Sequence, residues 1–202
     1  MQKTHFQTIE KEAVAEYKDR GSRFLAYAFP VTDVSVFKKR LTELKKEHSK
    51  AVHHCYAYRF GHQGIDFRVN DDGEPSGSAG RPILAQIDSK ELTDTAVVVV
   101  RYFGGTLLGV PGLIQAYKTS TVLALQLIPV VRKTIDDTLE VFFDYTLINE
   151  VMRILKANNC VIAEKDLQLF SRVKFTVPAI RSKEVSLQLC ELRNVEVKYF
   201  QK

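Results

Sequence analysis

The chain has 202 residues, 45% of them hydrophobic, and 29 Lys and Arg against 24 Asp and Glu, for a formal charge of +5. That suffices for one large core or two small ones, and it is too mildly basic to identify a partner. An odd number of widely spaced cysteines (Cys55, Cys160, Cys190) argues against a disulfide framework. With no span-length apolar run and no signal-peptide pattern, a soluble cytoplasmic protein is expected.

Residues 1–20 are mixed and charged and read as an exposed edge strand or hairpin. Ser22 to Val31 is rich in aromatic residues and reads as a buried strand ending at Pro30. Thr32 or Asp33 can cap the following helix, in which Val34, Phe37, Leu41 and Leu44 fall at helical spacing. Its outer face carries Lys38, Lys39, Arg40, Lys45 and Lys46, tempered by Glu43 and Glu47, the pattern of a solvated helix face. Two strands follow, Ala51–Phe60 and Ile65–Asn70, joined by a turn at residues 61–64. A helix to about Leu92 precedes the strand Thr95–Tyr102, whose unbroken run from Val97 to Val100 marks it as central. A further helix runs from about Pro111 to Ile128.

After a connector over residues 131–136, the tail reads as strand, helix, two strands, helix, strand. This β-α-β-β-α-β order is the split βαβ arrangement of ferredoxin-like domains. The chain therefore divides into residues 1–130 and 137–202. The tail from Asp137 has ten Lys and Arg against nine Asp and Glu, so most of the positive excess lies in the first part.

The stretch from Asn70 to Pro82 joins a strand to a helix. It holds three glycines, two prolines, two serines and the carboxylates Asp71, Asp72 and Glu74. A shaped loop at a helix N-terminus offers unpaired backbone N–H groups to an anion. A second glycine-rich loop, Gly104 to Gly112, also feeds a helix. The carboxylates of the first loop have three readings: ligands for a hard cation, partners for Arg59, Arg81 or Arg101, or caps on local N–H groups.

Several chemistries fail on motif. Gly104 to Gly109 has Walker-loop glycine spacing, but Val110-Pro111 replaces the Lys-Ser/Thr that phosphate and magnesium need. Ser78 lacks the first glycine of a nucleophile elbow. In His53-His54-Cys55, only His53 and Cys55 share one side of a strand, and no second cluster completes a zinc set. No cofactor or metal is assigned.

The run from Asp71 to Leu84 closely resembles the signature of the YigZ/IMPACT family. Ser22 to Tyr27, His53 to Arg59 and Val99 to Thr106 match it as well, so the resemblance covers about residues 20–128. It implies an α+β protein, with an N-terminal ribosomal protein S5 domain 2-like domain. The ferredoxin-like tail is similar to the C-terminal domain of elongation factor G. Eukaryotic relatives regulate translation through an additional N-terminal domain, and nucleic-acid binding is the usual proposal for bacterial members. This sequence departs from the family at Leu107 and Gln115, where basic residues are frequent, and at Tyr56 and His54, which replace tryptophan and asparagine.

The leading expectation is a non-enzymatic protein that binds RNA or a ribosome-associated partner and tunes translation. Arg59, Arg81, Arg101 and Lys118 would hold phosphates, helped by Ser78 and by N–H groups of the glycine loops, including Gly80, Gly104 and Gly105. Tyr56, Tyr58, Tyr102 and Phe103 are candidates for base stacking. An alternative is an enzyme acting on a phosphorylated or ester/amide small molecule, with Asp72, Glu74, Ser76, Ser78 and His53 as candidate catalytic groups. A second alternative is a protein-interaction module.

Overall fold

The valine run lies in a strand buried on both faces, and the first half of the molecule is layered around it. The computed structural model describes residues 4–62 and 64–200. It contains two compact units, one comprising Phe6–Lys133, the other Thr134 onward together with the opening residues to His5.

In chain order the elements up to residue 134 are β1 (His5–Thr8), β2 (Ala13–Asp19), β3 (Ser22–Pro30), α1 (Val34–Glu47), β4 (His53–Phe60), β5 (Asp66–Asn70), α2 (Gly80–Ser89), β6 (Thr95–Tyr102), α3 (Gly109–Gln126) and β7 (Val131–Thr134). Strands β2-β3-β6-β4-β5 form one sheet with antiparallel pairing throughout. β1 and β7 form a separate pair, so most of the expected connector is a strand.

Alternation along the strands sends side chains to two cores. Phe24, Ala26, Cys55, Ala57, Val97 and Val99 meet α2 and α3 on one face. Tyr27, Phe29, Tyr58, Phe60, Val98 and Val100 meet Phe37 and Leu44 of α1 on the other. Each buried valine contributes roughly 1.5–3 kcal/mol. Because both faces are covered, the run never alternates with polar residues. Asp33 caps α1 as expected, its Oδ1 accepting from Ser35 N at 2.8 Å and Val36 N at 3.0 Å. The opening residues do form an edge hairpin. β2 and β3 join through Arg20 and Gly21, at φ 44° and 80°, the paired positive angles of a type I′ turn. The 61–64 turn includes Gln63, which lies outside the described residues.

The second unit contains β8 (Asp136–Asp144), a 3₁₀ turn (Tyr145–Leu147), α4 (Ile148–Ala157), β9 (Val161–Asp166), β10 (Phe170–Pro178), α5 (Ala179–Cys190) and β11 (Glu196–Phe200). Its sheet has the order β11-β8-β10-β9 and is antiparallel throughout. Leu139, Val141, Val173 and Phe175 pack with Val151, Leu155, Val185 and Leu189 of the helices. The opposite sheet face is laced with ion pairs: Arg172 to Glu140 at 3.1 Å and to Glu164 at 3.3 Å, and Lys174 to Glu164 at 3.5 Å. Among the described residues, no helix in either unit is long and apolar enough to cross a membrane.

Candidate functional site

The four sequence motifs converge on one end of the five-stranded sheet. There β3 and β4 begin and β6 ends, with His53 opposite Arg101 and Arg23 opposite Tyr102. The loop from Asp71 to Ala79, the loop from Phe103 to Leu108 and the turn at Gly21 all border that end.

The first loop is closed by its own carboxylate. Asp71 Oδ1 accepts from Ala79 N at 3.0 Å and Gly80 N at 2.8 Å, and Oδ2 accepts from Gly77 N at 2.9 Å. Burial pushes the Asp71 carboxyl up, but these three donors and the charge of Arg81 more than offset it, holding the pKa below the usual carboxylate range. The N-terminal N–H groups of α2 thus already hold an anion. Asp72 takes φ 43°, and its Oδ2 accepts from His54 N at 2.7 Å and faces Lys45, whose Nζ lies 3.5 Å from Oδ1.

Beneath the loop lies a buried polar network. Glu74 Oε1 accepts from Arg101 Nη1 at 2.6 Å and from the Tyr117 hydroxyl at 2.7 Å. Cys55 Sγ stands 3.0 Å from Asp71 O and 3.2 Å from Tyr117 Oη, so its single S–H serves one of them at a time. Burial pushes the Cys55 thiol and the Tyr117 phenol upward, which keeps both neutral and the thiol unreactive at physiological pH. The Arg101 guanidinium lies over the rings of Phe24 and Phe103, at 5.5 and 5.6 Å, and its Nε is buried without a partner. His53 stands at the rim. Its Nδ1–H donates to Asp72 O at 2.7 Å, which fixes the tautomer and leaves Nε2 3.9 Å from Glu74 Oε1. Burial lowers the pKa of neighbouring His54, with the charge of Asp72 opposing it.

The second loop is set by sterics. A Cβ on Gly104 would lie 1.9 Å from Gly21 C and 2.2 Å from Ser22 N, so only glycine fits. Its N–H donates to Ser22 Oγ at 3.2 Å. Gly105, at φ 86°, has open space around it.

The expected site residues separate into three groups. Glu74, Ser78, Gly80 and Arg101 are committed inside the protein, and Gly104 is exposed but pinned against Gly21; Ser78 is fully buried and donates to Pro75 O at 2.6 Å. Ser76, Arg81, Gly105 and Lys118 are exposed, while Asp72 and His53 are half-buried. Arg59 stands apart. It pairs with Thr95 at the far end of the β4–β6 ladder, six residues or roughly 20 Å from His53, and binds Asp88 at 2.8 Å. Among the aromatic residues, Tyr56 and Tyr58 pack against Phe37, and the Tyr102 hydroxyl bonds His48 at 2.9 Å. Phe103 is exposed. The sequence reading missed Tyr117 and Cys55 as network members. Their signal was a polar tip at a core-facing position, which burial obliges to find a partner. Among the described residues, no group of three or more His, Cys, Asp or Glu is placed to hold a metal ion.

Comparison with known proteins covers the same region and beyond. The Impact N-terminal domain matches residues 20–125. The chain is 33% identical over 176 residues to the IMPACT family member YigZ of Escherichia coli (strain K12), covering 85% of each chain. It is 34% identical over 157 residues to the IMPACT family member YvyE of Bacillus subtilis (strain 168), covering 78% of this chain and 72% of that one. Protein IMPACT of Rattus norvegicus is 36% identical over 100 residues, only 31% of its own length. A crystal structure described as that of a hypothetical protein superposes over 100% of both chains with a TM-score of 0.78 and 27% identity. With its motifs gathered at one end of the sheet and its similarity running through most of the chain, this protein belongs to the IMPACT family.

Proposed function

We propose that this chain is a non-enzymatic, cytosolic RNA-binding protein that acts in translation, and that its two units are the S5 domain 2-like and ferredoxin-like domains of bacterial family members. The observation that carries this reading is the internal satisfaction of the first loop. Asp71 fills the backbone nest, Arg101 and Tyr117 hold Glu74, and Ser78 is bonded and buried. A loop so committed supports a surface more readily than it performs a turnover. On the sheet face that carries this loop, Arg81 of α2 and Lys118 of α3 are exposed, and on the other face Lys46, near the end of α1, is exposed as well. These cations, with the exposed Phe103 that follows β6, would contact phosphates and a base. The role that eukaryotic relatives perform through their additional N-terminal domain is not carried over, because the aligned region is a minor part of the Rattus norvegicus protein.

The test is binding of tRNA and single-stranded ribosomal RNA fragments across a salt series. Wild type should bind with a steep salt dependence, and Arg81→Ala/Lys118→Ala should reduce the slope of log K against log salt by about 1.4, two phosphate contacts' worth. Absence of binding at low salt would sink the RNA reading in favour of a protein partner.

A further inference from the structure

The second unit carries a groove that the RNA reading leaves unused. Asn149, Met152, Arg153 and Lys156, spaced three and four residues apart, form one stripe of α4 along it, and Cys160 and Ile162 complete its lining. Its volume is about 500 Å³, within the roughly 300–1,000 Å³ of ligand pockets. Met152, Cys160 and Ile162 are only partly covered by the unit's own core, so the floor is apolar. The rim is basic. Arg153 and Lys156 are exposed, and no carboxylate lines the groove.

Strand β9 borders it. Ile162 pairs with Phe175 and Lys165 with Val173, and both partners point into the core. Cross-strand partners share a face, so Lys165 lies on the groove side of the strand with Ile162. Glu164 lies on the other face, bound to Arg172 and Lys174. β9 ends the sheet order and, among the described residues, pairs only with β10, which leaves one row of backbone N–H and C=O groups open. A bulge, seen as a register shift opposite Lys174 and Phe175, lets Ile162 and Lys165, three residues apart, share that face.

We propose that this groove binds an extended, acidic peptide segment of a partner protein by strand addition to β9. Backbone bonds to the open edge would supply affinity. An apolar side chain enters between Met152 and Ile162, and carboxylates two residues to either side, on the same face, meet Arg153, Lys156 and Lys165. A six-residue strand of roughly 20 Å sets the bound length at about five or six residues.

The experiment is selection from a random octapeptide library on the full-length chain, followed by anisotropy titration of the selected peptides. Recovered sequences should carry Val, Ile or Leu with Asp or Glu two residues before or after it, on the same face of the strand. Arg153→Glu/Lys156→Glu changes only exposed side chains, and it should weaken binding at least tenfold with an unchanged melting temperature. N-methylation of each of the two alternating sets of peptide backbone nitrogens keeps every side chain, and it should abolish binding for the set that faces β9. The proposal is overturned if the library yields no binder, if binders are basic, if the charge-reversed variant keeps its affinity, or if neither N-methylated set weakens binding. Arg81→Ala/Lys118→Ala should leave peptide binding intact, which separates this site from the RNA surface.

Discussion

The two glycine-rich loops lead into helices α2 and α3 in opposite ways. The first folds a carboxylate back onto its own N–H groups and drops a second carboxylate, Glu74, onto a buried arginine. The second has no acidic residue in the first turn of α3 and no side-chain cap, and it is fixed by the close passage of Gly104 against Gly21. Similar composition therefore serves two devices, one electrostatic and one steric. A glycine-rich loop before a helix becomes an anion site only when no nearby acid reaches it first.

The sharpest way to break this contrast is Glu74→Gln. It leaves Arg101 buried without its counter-charge, and chemical unfolding should show a loss of about 3–5 kcal/mol. A loss below about 1 kcal/mol would mean that the first loop is not held by this pair. The steric device is tested by neighbours: Gly104→Ala should cost about 3 kcal/mol, because backbone must move. Gly105→Ala, with open space but a positive φ, should cost about 1–2 kcal/mol. Equal costs would remove the claim that packing distinguishes the two glycines.

Asp71→Asn should cost about 1.5–3 kcal/mol by unfolding, since charge-assisted bonds to three N–H groups are lost. It also has a pH signature. The folded pKa of Asp71 lies below its unfolded value, so its contribution is complete above about pH 4 and disappears as acid titrates the folded carboxylate. Wild type and variant should therefore converge in stability as the pH falls below about 4. A constant gap across acid pH would show that Asp71 acts through shape alone.

Much of the fold was legible because hydrophobic period and turn residues agreed. The valine run marked β6, and Asp33 marked the start of α1. Asn158 and Asn159 close α4: Asn159 takes φ 54° and Cys160 N donates to Leu155 O at 2.9 Å. The same closure ends α2, with Leu92 N donating to Ile87 O at 3.1 Å, but the left-handed residue is Glu91, at φ 51°. No glycine or asparagine announces it, so the helix was read too long at that end. It was read too short at the other, since α2 begins at Gly80 and Pro82 occupies a first-turn position where no N–H is needed. The loop residues of the site were visible as motifs, but their pairing was not. Whether an arginine reaches a phosphate or a buried glutamate depends on which strand ends lie together, and register is a property of the folded sheet. Arg59 and Arg101 look equivalent in the sequence and lie at opposite ends of one ladder.

The position of β6 has a kinetic consequence. It inserts between β3 and β4, two strands made earlier, and the loop after it locks against the turn at Gly21. A nascent chain that has not reached Thr95 holds two hairpins with no strand to join them, each with apolar faces uncovered. Closure waits on contacts some eighty residues apart, between Ser22 and Gly104. The end of the sheet that gathers the family motifs is therefore among the last parts of its unit to exist.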